Sequence, residues 1–269
     1  MAYKKRALPR RYRKRSKAKM SRKPKVSLAV KRYVKSTLHK NIENKLYEIQ
    51  WSQNLGGYSS SATMYAFPLT PYTGGINIAQ GVTQGARIGN IIKLRKLVWN
   101  FCVSPNTYNA TNNPSPQPCY VEVFICSLKG ENGVIPNSTD ITSFFQLNNN
   151  AVPPSGSLYD LTQQVNNDYF ICHKRMRIKI GFANYGGTGT NAGLQSFSNN
   201  DYSLTVLKKL NITKYCPKTI TFPDATATPS SRCVFALINV MPSIGNTAFS
   251  AGVTPIRIDG QIHMEYEDA

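Results

Sequence analysis

What most limits the shape this chain can take is the position of its charge. Residues 1–40 hold 17 of the 33 lysines and arginines and no acid, while the other 229 residues carry 16 basic and 13 acidic side chains. Most of the net charge of +20 therefore belongs to one end. A segment so basic repels itself and cannot bury a core, so residues 1–25 are expected to stay disordered until a polyanion neutralises them. The remainder is nearly neutral and long enough for one large all-β domain or two small ones. The two parts obey different physics and are read separately.

Several classes are excluded early. No run of 18 apolar residues occurs, so no segment is expected to span a membrane. Met1 leads into Lys4, Lys5 and Arg6 with no apolar stretch behind them, so no secretory signal is expected. Cys102, Cys119, Cys126, Cys172, Cys216 and Cys233 never fall in a Cys-x-x-Cys spacing. They are expected to be reduced and half-buried rather than a disulfide scaffold.

The arm presents Lys4, Lys5, Arg6, Arg10, Arg11, Arg13, Lys14, Arg15, Lys17, Lys19, Arg22, Lys23 and Lys25. Cations at this density suit phosphates, each neutralised phosphate releasing counterions with a log–log salt slope near −0.7 on single strands. Tyr3, Tyr12 and Tyr33 lie among the charges, where rings can stack on unpaired bases. Such contacts carry no base information, so binding is expected to be independent of sequence. A nuclear-import signal or a merely solvated tail are the other readings, and import can reuse the same residues.

From 26 to 46 the pattern changes. Val30, Val34, Leu38, Ile42 and Leu46 recur every four residues, with Lys31, Arg32 and Lys35 between them and Pro24 just ahead. This predicts an amphipathic helix over 26–46, its stripe on the body and its basic side toward the same ligand as the arm. A membrane-surface helix is the alternative, weakened by a narrow stripe without Trp or Phe.

Beyond Tyr47, segments rich in Val, Ile, Phe, Tyr and Thr predict strands at 47–52, 63–67, 87–103, 119–128, 169–182, 202–214, 231–240 and 256–266. Turn-rich loops separate them at Gly56-Gly57, Pro71–Gly75, 104–118, Asn148–Gly156 and Gly186–Asn200. Only Asp140–Leu147 reads as helical, capped by Ser138, Thr139 or Asp140. Eight strands with long polar connections imply an all-β fold, a single antiparallel jelly-roll sandwich over 47–269 behind a 1–46 arm. So many long loops make sense where neighbouring copies supply the missing contacts.

Two strands carry ordered charge. His173, Arg175, Arg177 and Lys179 alternate with Cys172, Met176, Ile178 and Ile180, and Lys93 and Arg95 share parity with Ile91, Leu97, Trp99 and Phe101. A basic sheet face at Lys93, Arg95, Arg175, Arg177 and Lys179 could touch packaged nucleic acid or a neighbouring subunit. A solvated face, or cations paired across the sheet, is the competing account. Trp99 is expected in the core rather than as a base platform.

Signals for catalysis are absent. The three histidines (His39, His173, His263) form no metal spacing, and Gly186-Gly187-Thr188-Gly189-Thr190 lacks the Gly-Lys-Ser/Thr of a phosphate loop. The acidic end, Glu265, Glu267 and Asp268, is expected to be a solvated terminus, with a cation or a basic neighbour as alternatives. No enzyme and no cofactor is expected.

A short Lys/Arg-rich N-terminus before a β-rich body resembles the capsid proteins of small circular single-stranded DNA viruses that encode a rolling-circle replication initiator, the circovirus-like group. Gln84-Gly85-Ala86-Arg87-Ile88-Gly89-Asn90, running into Ile91-Ile92-Lys93-Leu94-Arg95, looks like that group's glycine-led strand entry. Val121–Lys129 followed by Ile141-Thr142-Ser143-Phe144-Phe145 resembles its strand–loop–short-helix passage. Val165–Phe170 running into Lys174-Arg175-Met176-Arg177, and the closing Tyr266-Glu267-Asp268-Ala269, are also similar. The resemblance runs through most of the chain in order. It implies one jelly roll, a T=1 icosahedral shell of sixty self-assembled copies with the arms inside, and a single-stranded DNA genome. Host nuclear import machinery and a host receptor would be further partners, and the virion and host nucleus the locations. A non-capsid nucleic-acid-binding protein with a basic tail, a small RNA virus capsid protein and a receptor-binding sandwich are the alternatives.

Overall fold

Helix α1 (Leu28–Asn41) begins where Ser27 caps it, the Ser27 hydroxyl accepting from the Val30 N–H at 3.2 Å. A computed structural model of the chain describes residues 27–41, 44–56, 64–73, 75–184, 195–197, 202–223, 229–244 and 247–268. It divides into two compact units, Met1–Asn41 and Ile42–Ala269. The helix is shorter than the predicted 26–46, and residues 44–46 belong instead to the first strand. A spacing of four is even as well as near-helical, so Leu38, Ile42 and Leu46 could not mark where helix yields to strand.

The strands in chain order are β1 (Asn44–Leu55), β2 (Tyr65–Pro68), β3 (Ile91–Pro105), β4 (Cys119–Leu128), β5 (Phe145–Leu147), β6 (Asn150–Val152) and β7 (Gln164–Val165). They continue with β8 (Phe170–Ile180), β9 (Phe182–Asn184), β10 (Gln195–Phe197), β11 (Val206–Asn211), β12 (Thr219–Thr221), β13 (Phe235–Pro242) and β14 (Ile256–Asp268). The eight predicted strands are all present. The third starts at Ile91 rather than 87, because Arg87 is buried in the preceding turn-rich stretch instead of alternating in a ladder.

Two larger antiparallel sheets make the sandwich of the body, beside a three-stranded sheet β6-β5-β7 and the pair β9-β10. One runs β1-β14-β3-β11, with β12 also on β3, and the other runs β2-β13-β4-β8. Between them Leu97, Trp99, Phe101, Val103, Ile258, Ile262 and Met264 of the first sheet meet Val121, Val123, Ile125, Ile178, Ile180, Ile238 and Val240 of the second. Trp51 of β1 stacks on Phe67 of β2 at 3.9 Å between ring centroids, tying the edges of the two sheets together. Directly across the ladder from Trp51 is Gly260, where an added Cβ would sit 2.5 Å from the indole.

The second sheet is covered on its other face as well. Phe124, Cys126, Leu128, Phe235 and Leu237 pack there against Met64, Ile141, Phe144, Phe145 and Phe170. Burial on both faces explains why β13 is apolar almost throughout instead of alternating. The covering layer is built from 137–166. Its helix α2 (Ser138–Ile141) is one turn, not the predicted Asp140–Leu147, and its cap is Asn137 in a reciprocal pair with Asp140. Phe145–Leu147 then turns back through Asn148 and Asn149, both at positive φ (50° and 63°), into β6. A two-residue loop with both positions left-handed has the twist that suits a tight hairpin.

Gly260→Ala should therefore lower stability by about 1–3 kcal/mol through overpacking against Trp51. The check is urea unfolding, where the midpoint should fall at unchanged slope.

Candidate nucleic-acid interface

The arm cations Lys4 to Lys25 lie outside the described residues, as do Tyr3 and Tyr12. On α1, Lys31 and Arg32 are exposed and Tyr33 is 73% exposed, while the side chain of Lys35 lies outside the described residues. The helix sequence contains no acid to pair with them.

The body cations stand differently. In β8 the register to β4 slips at His173, which has no opposite residue. This bulge reverses the parity of the strand. Cys172 consequently lies on the face of Arg175 and Arg177, not with Met176, Ile178 and Ile180 as simple alternation predicts. On that face Glu122 is 0% exposed and takes both guanidinium groups. Arg175 Nε and Nη2 donate to its two carboxylate oxygens at 3.0 and 2.9 Å, and Arg177 Nε and Nη2 donate to Oε1 at 3.2 and 3.1 Å. The arginines also donate to main-chain carbonyls of the covering layer, Arg175 to Asp160, Leu161 and Gln163 and Arg177 to Leu161. Beside them the buried Asp160 carboxylate accepts from Ser155, Gly156 and Asn239, with Asn239 at 2.8 Å. A carboxylate this deep requires such partners, since an uncompensated charge there costs several kcal/mol. Lys179 sits over the rings of Tyr120 and Tyr202, at 6.0 and 5.6 Å. Of the expected basic face, Arg175 and Arg177 thus serve the sheet itself.

His173, at the bulge, is within 3.1 Å of the Ser127 hydroxyl and stacks on Tyr215. Burial, then the nearby Arg232, holds its pKa below the ordinary imidazole value. It is a neutral packing group at pH 7.

A second bulge decides the fate of Lys93 and Arg95. The β3–β14 register jumps from Lys96 to Leu94, leaving Arg95 without an opposite residue. Ile91, Lys93 and Arg95 are therefore exposed while Leu97, Trp99 and Phe101 enter the core, so the predicted common face does not exist. Trp99 is fully buried, as expected. Arg95 pairs with Glu267, Lys96 with Glu265 at 2.9 Å, and the buried Lys45 with Asp268 at 3.0 Å. Asp268 also accepts from the Ile88 N–H at 2.8 Å. The acidic end is no solvated terminus: it is the last stretch of an inner strand, and each acid meets a cation of β1 or β3. Arg87 is buried close by over the Phe222 ring at 4.4 Å, its pKa lowered by burial against the opposing field of Asp268.

One surface escaped the sequence reading. On the outward side of the first sheet a hollow of about 820 Å³ is lined by Gln50, Asn100, Lys209 and Gln261, among others. The registers set Gln50, Gln261, Asn100 and Lys209 in one row across four strands. The four residues lie far apart in the sequence, and only the pairing brings them level. Among the described residues, no group of three His, Cys, Asp or Glu could hold a metal, and no helix is long and apolar enough to cross a membrane.

Comparison of the chain with protein-family models and with curated proteins gives no match.

The pairing of Arg175 and Arg177 has a measurable consequence. Changing both to Gln should lower the urea midpoint yet leave the salt slope of single-stranded DNA binding unchanged. Direct phosphate contacts by both would instead flatten that slope by about 1.4, at roughly 0.7 per contact.

Proposed function

We propose that the chain is a structural viral capsid protein of circovirus-like type, which self-assembles into a small icosahedral shell and packages single-stranded DNA on its basic N-terminal arm. The observation that carries this is the separation of charge. Seventeen unopposed cations occupy residues 1–40, while the arginines of β8 and the cations Lys45, Arg95 and Lys96 are paired with acids of the body. Polyanion binding is delegated to the arm, and the body is left electrically free to pack against copies of itself.

Strand order supports a single jelly roll. After β1 the chain crosses to β2 in the second sheet, returns to β3, crosses to β4 and β8, returns to β11, and repeats the exchange through β13 and β14. Alternation of this kind between a five-stranded and a four-stranded sheet is the wrapped Greek-key path of that architecture. The protein's role is to enclose, not to catalyse.

In this account residues 1–25 neutralise the genome, the helical segment joins them to the shell interior, and the body builds the wall. Sixty arms of 17 charges would balance on the order of a thousand phosphates at one charge per nucleotide. Neutralisation also relieves repulsion between arms, so filled shells should be favoured over empty ones at low salt. Nuclear import on the same basic residues would bring the protein to the site of assembly, and outward loops would meet the host receptor.

The test is deletion of residues 1–35. The truncated protein should fold and lose packaging, with no nuclease-protected absorbance at 260 nm in its particle fraction. Enclosure of nucleic acid at undiminished density by the truncated protein would refute the role of the arm.

A further inference from the structure

The bulge at His173 places Cys172 directly opposite Cys126 in the β4–β8 ladder. Residues facing each other in an antiparallel ladder have Cα atoms about 4.5–5.5 Å apart, within the roughly 4.4–6.8 Å that a disulfide spans. Both side chains point to the same side of the sheet, into the cluster of Phe124, Phe144 and Phe170. We propose that Cys126 and Cys172 are a redox pair that closes to a cross-strand disulfide when the folded protein meets a small-molecule disulfide of the glutathione class. The inference is independent of the packaging reading.

The two sulfurs are unequal in a way that assigns their roles. Cys172 is half-buried and lies near the Arg175 guanidinium, and its thiol is held below the usual value, by the facing Cys126 thiol above all and by that guanidinium as well. Cys126 is fully buried, and burial pushes its thiol well up. Cys172 is the attacking sulfur, since the thiolate is the nucleophile and must be reached by the oxidant. It adds to one sulfur of oxidised glutathione and expels the other as a thiolate, leaving a mixed disulfide. Cys126 then attacks the Cys172 sulfur, the second glutathione leaves, and it takes the proton that Cys126 gives up. Two protein thiols are oxidised and one glutathione disulfide is reduced to two thiols.

The remaining cysteines are poorer candidates. Burial pushes Cys119 and Cys216 up to about 12 and Cys233 to about 11, and burial also raises Cys102. Closing the bond would pin β8, an outer strand of its sheet, to the inner strand β4. It would also fix both ends of the covering segment 127–171. A protein folded under reducing conditions could then tighten on reaching oxidising surroundings.

The experiment incubates the full-length folded protein with oxidised glutathione, blocks residual thiols after denaturation, counts them and maps the peptides. The expected result is a fall from six free thiols to four, with one bond joining Cys126 to Cys172 and a raised unfolding temperature that dithiothreitol reverses. Cys172→Ser should keep all five of its thiols under the same treatment. Retention of six thiols in the unmutated protein would overturn the proposal. So would a stable glutathione adduct on Cys172, or a bond that joins Cys216 to Cys233 instead.

Discussion

A sheet buried on both faces cannot hold unpaired charge, and this one constraint arranges much of the body. The second sheet lies between the main core and the 137–166 layer, yet its outer strand β8 carries Lys174, Arg175, Arg177 and Lys179. For Arg175 and Arg177 the conflict is resolved by Glu122, placed opposite Arg177 on β4 and fully buried. Its carboxylate serves two guanidinium groups, whose remaining donors close off main-chain carbonyls of the covering layer. The ion pairs therefore fasten one layer to the next. Their worth lies in specifying that arrangement more than in net stability, because desolvation offsets much of the attraction.

The same logic recurs along the last strand. β14 sits between β1 and β3, so Glu265, Glu267 and Asp268 enter an inner strand where Lys96, Arg95 and Lys45 wait for them. The C-terminal stretch thus fastens the first strand of the body in place. With these cations of the body paired to its acids, the proposal assigns the polyanion to the segment that has no acids at all. The division of labour between arm and body is the electrostatic form of the proposed function.

Much of this was legible in the sequence, and the parts that were not share a cause. Eight strands, their order and the burial of Trp99 follow from apolar β-formers between turn residues. Faces were misjudged wherever a bulge intervened. One extra residue at Arg95 reversed the parity that put Lys93 beside Trp99, and one at His173 moved Cys172 to the arginine side. Nothing in the local sequence announces either bulge. Pairings such as Arg175 with Glu122, or Lys45 with Asp268, join residues 53 and 223 positions apart, and only the register brings them together. The row of Gln50, Gln261, Asn100 and Lys209 was invisible for the same reason. In the covering layer, Asn137 was passed over as a cap, and the Asn148-Asn149 turn was read as part of a long loop.

The central claim is that a neutral, self-packing body carries a cationic arm for nucleic acid, and assembly tests it most directly. Purified full-length protein would be sedimented with absorbance at 260 and 280 nm followed across the gradient, before and after nuclease, over a range of assembly conditions. The account predicts a discrete particle tens of times heavier than the 29.9 kDa chain, retaining absorbance at 260 nm after digestion. A slow species under every condition, stripped of its nucleic acid by nuclease or moderate salt, would contradict it and leave a soluble polyanion binder.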